Sequence, residues 1–201
     1  MKVERFIFGP FETNTYVVSN DRGEALLIDP ACCYAHERQP LLNCLAPFGS
    51  PLAILATHGH LDHLWGAPWA CEQWQKPVLM HEADVPMAKA MQQQYDLFGI
   101  RQTAKPFPVL ALGKDQPILA DMQIIHTPGH TPGSVCLYWE QEKVLLSGDT
   151  LFQMGYGRTD LPGGDYCQLI DSLEKLFSLP PDVHVYPGHG DDTTIAAERR
   201  F

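Results

Sequence analysis

Four potential metal ligands lie within six residues of one another in the segment 57–63, which reads THGHLDH. The segment directly follows a continuous apolar run that is typical of a strand buried on both faces. Residues two apart in an extended chain face the same way, so His58 and His60 are predicted to hold one cation. Asp62 and His63 begin the next predicted helix, where they are displaced enough to face a second cation. Imidazole and carboxylate ligands suit zinc, iron and related metals.

Three further potential ligands also follow predicted strands. His130 lies in a turn rich in proline and glycine, residues 127–134 (TPGHTPGS). Asp149 closely follows an apolar, strand-like run, and His189 lies in the short sequence PGHG. Five of the nine histidines therefore lie in loops at strand ends. Strands that end at the same edge of packed sheets would gather these side chains into one metal site.

The remaining histidines carry weaker signals. His36, His81 and His184 are predicted to be ordinary structural histidines, since satisfied histidines are common in folded proteins. His126 precedes His130 by four residues and is a candidate to support the ligands from behind.

The elements that must position these residues alternate between apolar or β-branched runs and helical patterns. The predicted strands are Tyr16–Ser19, Ala25–Ile28, Leu52–Ala56, Val78–His81, Ile118–His126, Val135–Trp139, Lys143–Leu146 and Val183–Tyr186. The predicted helices are His63–Gln75, Glu82–Tyr95, Asp165–Leu179 and Thr194–Arg200. Residues 102–108 and the glycine-rich segment 155–164 are predicted loops, and Trp65 and Trp69 are predicted core residues. Two halves, each with strands followed by a helix, predict an α/β fold of two packed sheets with helices outside.

Composition narrows the class of protein. The 201 residues suit a single domain, and 45% hydrophobic residues are enough for a buried core. A formal net charge of −10 opposes non-specific nucleic-acid binding, so no nucleic-acid partner is expected. The N-terminal residues lack the apolar core of a secretory signal, and no apolar run approaches the ~20 residues of a membrane helix. The six cysteines form no Cys-x-x-Cys pair, which favours reduced thiols and a cytoplasmic location.

This ordered set of residues resembles the metallo-β-lactamase superfamily. The pattern His-x-His-x-Asp-His, a later histidine, an aspartate after a strand and a last histidine cover nearly the whole chain. The resemblance implies an αββα sandwich of two mixed sheets, a single domain over residues 1–201, with the site at the sheet edge. It also implies two divalent metal ions, zinc first, with iron or manganese accepted by the same ligands.

The resemblance assigns each ligand to a metal. His58, His60 and His130 would hold the first ion, Asp62, His63 and His189 the second, and Asp149 would bridge the two. Asp29 matches a family aspartate that braces the ligand loop, although a simple cap at the strand end is an equal interpretation.

Within the superfamily, the segments 127–134 and 148–152 (GDTLF) resemble glyoxalase II, which hydrolyses glutathione thioesters. Arg158 stands where that family has a lysine for the glutathione carboxylate, and Asp160 and Asp191 replace two family tyrosines. The sequence also stops at Phe201, before the C-terminal helical region that supplies further basic contacts in that family. Arg158 is nevertheless a candidate to bind a substrate carboxylate, with a surface salt bridge to Asp160 or Asp165 as the equal alternative.

The implied reaction is hydrolysis of a small-molecule thioester such as S-lactoylglutathione. Two cations sharing a water would lower its pKa toward ~7 and so supply hydroxide near neutral pH. Asp149 would fix the metals, and Asp62 would orient the nucleophile, which makes both candidate catalytic residues. A thiolate leaves without a dedicated acid because the parent thiol has a pKa of ~8.5, whereas an amine does not.

Two alternatives remain open at the level of the sequence. The segment 157–160 (GRTD) also resembles persulfide dioxygenases of the same superfamily, which use one iron held by residues matching His58, His130 and Asp149. Such a protein would consume oxygen and a glutathione persulfide. A metal-binding module without catalysis is the other alternative, and it predicts no turnover of any ester.

Overall fold

The computed structural model describes residues 1–113, 119 and 121–199 of the chain. These residues form two compact units, Met1–Leu119 and Ala120–Phe201. Each unit has its own mixed sheet and its own helices, as the two similar halves of the sequence predict. That residues 1–201 form a single domain remains a prediction from the sequence.

The first unit contains a six-stranded sheet in which the strands follow one another in sequence order. Its strands are β1 (Lys2–Phe8), β2 (Thr13–Ser19), β3 (Ala25–Ile28), β4 (Ala53–Leu55), β5 (Val78–Met80) and β6 (Val109–Ala111). The pairs β1/β2 and β2/β3 are antiparallel, whereas β3, β4, β5 and β6 run parallel to one another. The carboxyl ends of β3, β4 and β5 therefore meet at one sheet edge. The four predicted strands of this unit are confirmed, and β1 and β6 are additions that the sequence did not reveal.

Five short helices connect these strands. They are α1 (Arg38–Leu45), α2 (Leu61–Leu64), α3 (Ala67–Trp74), α4 (Val85–Lys89) and α5 (Met91–Leu97). Their apolar faces pack on the sheet to form a continuous core, which includes Leu27, Ile54 and Met80. Trp65 and Trp69 pack against this core, as predicted.

Two predicted helices of the first unit are each divided in two. The predicted helix His63–Gln75 is wrong in its middle, because α2 ends before Gly66 and α3 restarts after it. The Gly66 amide donates to the Pro30 carbonyl over 2.8 Å, and a Cβ at this glycine would lie 2.5 Å from the Cys32 Sγ atom. This close approach removes Gly66 from a regular helix, and a proline in the first turn of α3 suits a new helix start.

The predicted helix Glu82–Tyr95 is likewise wrong as one element. A 3₁₀ turn covers Glu82–Asp84, and α4 and α5 follow with a break at Ala90. Pro86 lies in the first turn of α4, where the missing amide proton of proline is tolerated.

The second unit contains a five-stranded sheet of order β13-β12-β9-β8-β7 and a separate β10–β11 hairpin. Its elements are β7 (Met122–His126), β8 (Val135–Trp139), β9 (Val144–Gly148), β10 (Leu151–Phe152), β11 (Gly155–Tyr156), α6 (Tyr166–Phe177), β12 (His184–Pro187), β13 (Thr193–Thr194) and α7 (Ile195–Glu198). Strands β9 and β12 are parallel neighbours, and β7 is antiparallel to β8, which is antiparallel to β9. The carboxyl ends of β7, β9 and β12 therefore lie at one edge of this sheet.

Most predictions for the second unit are confirmed, with local corrections. The predicted loop 155–164 begins with the β11 strand, so its first two residues were assigned wrongly. Thr194 is the N-cap of α7 and accepts a hydrogen bond from the Ala197 amide, so the last predicted helix starts one residue later. Ile118 and Arg200, at the ends of two predicted elements, lie outside the described residues.

Two further findings concern the whole described chain. All six cysteines are free thiols, and burial raises the pKa of the buried Cys136 to about 11, which keeps it protonated at neutral pH. Across residues 1–113 and 121–199, no helix combines the length and the apolar character needed to cross a membrane.

Candidate metal centre

The first cluster of predicted ligands follows the carboxyl end of β4. His58 and His63 are almost fully buried, and His60 is 8% exposed. The His58 ring centroid lies 4.8 Å from that of His60 and 4.1 Å from that of His63. Three imidazoles so close together in a buried position would be costly for an ordinary core, and they are the arrangement that a metal site requires.

Asp29 organises this cluster from the end of the neighbouring strand β3. Its carboxylate accepts hydrogen bonds from the Thr57 amide over 2.7 Å and from the Thr57 hydroxyl over 2.8 Å. It also lies 2.9 Å from Nδ1 of His63. A carboxylate oxygen can only accept, so Nδ1 of His63 carries the proton and Nε2 keeps its lone pair for a metal. The structure therefore places Asp29 against the side chain of a predicted ligand, which agrees with the first of the two interpretations, a residue that braces the ligand loop.

The same logic extends to His58. The Thr57 hydroxyl lies 3.1 Å from Nδ1 of His58 and already gives its proton to Asp29. Its oxygen therefore accepts a hydrogen bond from Nδ1–H of His58, so Nε2 of His58 keeps its lone pair for the predicted metal. One buried carboxylate thus fixes the orientation of two predicted ligands, one directly and one through Thr57.

We expect Asp29→Asn to weaken metal binding roughly 10- to 100-fold while the protein still folds. Asp29 has a left-handed backbone with φ of 51°, which asparagine tolerates well. The new amide oxygen can still accept a hydrogen bond from the Thr57 backbone amide. The new amide nitrogen cannot accept the hydrogen bond from Nδ1–H of His63. Competition with a chelating dye measures the dissociation constant, and Asp21→Asn in an exposed turn is the matched control. Wild-type metal affinity in Asp29→Asn would show that Asp29 is only a strand-end cap.

Asp62 lies at the start of α2, next to the histidine cluster. Its Oδ2 atom accepts a hydrogen bond from the Thr13 hydroxyl over 3.1 Å and lies 3.5 Å from Nε2 of His63. Thr13, at the start of β2, is a contact that residue patterns did not reveal. Two other residues that the sequence did not reveal, Asp84 and Gln94, hold the backbone of the ligand segment.

The second cluster lies at one edge of the sheet of the second unit. Asp149 follows β9 and His189 follows the parallel strand β12, with the Gly188 amide donating to the Gly148 carbonyl over 2.8 Å. His130 lies in the connection from β7 to β8. The Oδ2 atom of Asp149 lies 3.5 Å from Nε2 of His130 and 3.5 Å from Nε2 of His189. The structure thus brings together all three ligands predicted in this half.

The turn that carries His130 is held rigidly. The Pro128 carbonyl accepts from the Ser172 hydroxyl of α6 over 2.7 Å, and the Thr127 and Thr150 hydroxyls lie 2.9 Å apart. Gly129 has φ of 134°, and a Cβ there would lie 2.3 Å from the Leu169 amide nitrogen. The glycine is required by both its backbone and its surroundings, as the sequence of this turn suggested.

His130 is oriented by a main-chain group. Its Nδ1 atom lies 2.7 Å from the Arg158 carbonyl oxygen, which can only accept, so Nδ1 carries the proton and Nε2 keeps its lone pair for the predicted metal. The preceding residue must be small, because a Cβ at Gly157 would lie 1.9 Å from the Asp149 carbonyl oxygen.

These distances test whether the residues fit a metal ion. Two ligand atoms on one tetrahedral zinc ion lie roughly 3.4 Å apart, given metal–ligand bonds of about 2.1 Å. The three separations of 3.5 Å between imidazole Nε2 and carboxylate oxygen are close to this value and longer than a good direct hydrogen bond. All seven predicted ligands belong to groups of His and Asp side chains that could hold a metal ion. The types of these donor atoms and their separations within each unit therefore fit the ligands of a metal ion.

The guanidinium of Arg158 is paired with Asp160, through two contacts of 2.7 Å. Both side chains are exposed, and the hydrogen bonds from Arg158 lower the pKa of Asp160 to about 2. The predicted salt bridge is thus present with Asp160. An exposed ion pair of this kind contributes little to the stability of the fold.

The remaining histidines have structural contacts. His36 stacks on Tyr34, Nδ1 of His81 accepts from the Ala83 amide, and His184 pairs with Asp192. Nε2 of His126 contacts the Pro132 carbonyl over 2.9 Å, so this side chain supports the turn that carries His130.

Comparisons with known proteins extend over almost the whole chain. The family model of the Metallo-beta-lactamase superfamily matches residues 8–189, which includes parts of both units. The chain is 33% identical over 207 residues to hydroxyacylglutathione hydrolase GloC of Haemophilus influenzae, covering 100% of this chain and 96% of that protein.

Two solved structures are also similar. The crystal structure of TTHA1623 in a di-iron-bound form has a TM-score of 0.87 and 37% identity, covering 98% of each chain. The BLEG-1 B3 metallo-beta-lactamase has a TM-score of 0.85 and 37% identity, covering 100% of this chain and 97% of that one. The predicted fold is therefore confirmed as the metallo-β-lactamase fold, with mixed sheets and helices. The chain belongs to the metallo-β-lactamase superfamily and is a metal-dependent hydrolase of that family.

Proposed function

We propose that this protein hydrolyses a small-molecule thioester, with a glutathione conjugate such as S-lactoylglutathione as the leading substrate. The observation that carries the proposal is the ligand set itself. It consists only of imidazoles and carboxylates, most of them buried, and hydrogen bonds at Nδ1 orient His58, His63 and His130 so that Nε2 can bind a metal. The full-length similarity to a hydroxyacylglutathione hydrolase supports the same substrate class.

The proposal assigns the seven predicted ligands to two cations. His58, His60 and His130 would hold one divalent cation, Asp62, His63 and His189 the other, and Asp149 both. Zinc is the first candidate, and iron and manganese accept the same ligands, as the di-iron form of a similar structure illustrates for that protein. When bound, two such cations supply a water of lowered pKa and a Lewis acid for a carbonyl oxygen.

The side chains have separate roles in this proposal. Oδ2 of Asp149 lies 3.5 Å from Nε2 of His130 and 3.5 Å from Nε2 of His189, so its carboxylate can share a cation with each of these histidines. Asp62 is held by Thr13 and can accept a hydrogen bond from the attacking water, so it orients the nucleophile. We assign Asp62 and Asp149 as the catalytic residues and Arg158 as the residue that contacts a substrate carboxylate.

The leaving group favours a thioester over an amide. A thiolate departs near neutral pH because the pKa of its parent thiol is ~8.5. An amine must be protonated as it leaves, which requires a positioned acid. His63 and His130 cannot serve as that acid through Nδ1, because in both of them this N–H is already donated to an acceptor.

A steady-state assay with the metal-loaded protein tests this proposal. We expect hydrolysis of S-lactoylglutathione, about two metal ions per chain by elemental analysis, and a higher KM for an uncharged thioester that lacks the carboxylates. A cephalosporin should be hydrolysed far more slowly. Faster turnover of the cephalosporin, or no turnover of any thioester by the metal-loaded protein, would contradict the proposal.

The second candidate is the oxidation of a glutathione persulfide with one iron. The segment 157–160 (GRTD) favours it, since this segment resembles the corresponding segment of persulfide dioxygenases. One iron per chain together with oxygen uptake on a glutathione persulfide would establish this activity. Two metals and no oxygen uptake would exclude it.

A further inference from the structure

The ligand segment that carries His58 and His60 is held through its backbone by two polar side chains from the region after β5. The Gly59 amide donates to Oδ2 of Asp84 over 2.8 Å. The Gly59 carbonyl accepts from Nε2 of Gln94 over 2.9 Å, and the Leu61 amide donates to Oε1 of Gln94 over 2.9 Å. Three backbone groups on the two sides of His60 are therefore fixed by side chains 25 to 35 residues away in sequence.

These contacts are built into the fold. Asp84 is completely buried at the end of the 3₁₀ turn that follows β5. Gln94 lies on α5 and also donates to the Met87 carbonyl of α4 over 3.1 Å, so it joins both helices to the ligand segment. A Cβ at Gly59 would lie 3.1 Å from the Asp84 carbonyl oxygen and 3.1 Å from Cβ of Met87. The ligand segment is thus pressed closely against this helical region.

Gln94 has a further consequence for the start of α2. His60 is the N-cap residue of this helix, yet its side chain makes no capping hydrogen bond. The amide groups of a first helical turn need acceptors, which the N-cap side chain commonly supplies. Oε1 of Gln94 supplies an acceptor for one of these amides, that of Leu61.

A metal site requires its ligands to be held in precise positions, which explains why these backbone contacts matter. A glycine between two ligands gives the chain conformational freedom that a metal site does not tolerate. The charge-assisted bond from Gly59 to Asp84 and the two bonds to Gln94 remove that freedom at the ligand segment itself. The completely buried carboxylate of Asp84 would be costly to keep if it did not serve a specific contact.

We propose that Asp84 and Gln94 are positioning residues of the metal centre, which set the backbone of residues 58–61 so that His58 and His60 reach one ion. This inference rests on the proposed assignment of both histidines as ligands. Neither Asp84 nor Gln94 contacts the reacting atoms in this proposal, since they act through the backbone of Gly59 and Leu61.

Two variants with matched controls test the inference. Gln94→Leu removes the three side-chain bonds at similar volume, and Gln93→Leu changes the same residue type at the exposed next position. Asp84→Asn keeps an acceptor for Gly59 but removes the charge, and exposed Glu82→Gln in the same turn is its control. Because Asp84→Asn is nearly isosteric, it keeps the test meaningful if a harsher variant fails to fold.

The measurements are the metal dissociation constant by chelator competition and the visible absorption spectrum of the cobalt(II)-loaded protein. We expect both variants to bind the metal roughly 10- to 100-fold more weakly, with altered cobalt bands, while the controls match the wild type. Wild-type constants and spectra in both variants would overturn the inference, even if their melting temperatures fall. Full metal binding by His58→Ala would instead overturn the ligand assignment on which the inference rests.

Discussion

His58→Ala is expected to lose bound metal and hydrolytic activity together, with a fall in kcat/KM of at least ~10³-fold, or about 4 kcal/mol. His58 is 1% exposed, and Thr57 holds its Nδ1 so that Nε2 faces away from that contact. The expected loss is large because the proposed mechanism depends on the metal for both the nucleophile and the stabilisation of developing charge. Elemental analysis and a thioester assay on the same preparation measure both quantities.

The control for this variant is His36→Ala, which removes an exposed imidazole that stacks on Tyr34 in the same unit. We expect wild-type metal content and activity from it. A fully active, metal-loaded His58→Ala protein would show that the ligand assignment is wrong.

Gly157→Ala is expected to reduce activity at least 100-fold and to lower the melting temperature. The added Cβ would lie 1.9 Å from the Asp149 carbonyl oxygen and 3.0 Å from Nδ1 of His130. The Asp149 contact is with backbone, so the strand end that carries this ligand must move. Overpacking of this kind costs about 1–3 kcal/mol of stability, and it displaces two predicted ligands at once.

Gly155→Ala, two residues earlier, is the matched control for this substitution. A Cβ at Gly155 meets nothing within 4 Å, and its backbone is not left-handed. We therefore expect activity and a melting temperature close to those of the wild type. Equal effects of the two substitutions, measured by thermal unfolding and the thioester assay, would contradict the role given to Gly157.

The ligands could be predicted from sequence because their signals are residue types at strand ends. His58, His130 and His189 all follow apolar runs and lie beside glycine, and the structure brings the ligands of each unit together. Parallel strands place successive loops at one sheet edge, so the order of elements already implies that such residues converge. The confirmed fold follows from the same alternation of strands and helices.

The residues that hold the ligands were not predictable in the same way. Asp84 and Gln94 lie in a region whose sequence pattern predicts one helix. Such a pattern does not indicate which polar side chains will contact the ligand segment. The Arg158 carbonyl has no signature at all, since every residue has a carbonyl group. The helix break at Gly66 could not be predicted for a related reason. It is caused by the close approach of Cys32, a tertiary contact that the local sequence does not show.

The contact between His130 and the carbonyl of residue 158 has a consequence for how this protein could diversify. Any amino acid at this position supplies the same carbonyl, so its side chain is free to be exchanged without disturbing the imidazole beside it. New preferences for small molecules could therefore arise at position 158 by single substitutions. Asp29 offers no such freedom, because its own side chain makes the contact with His63.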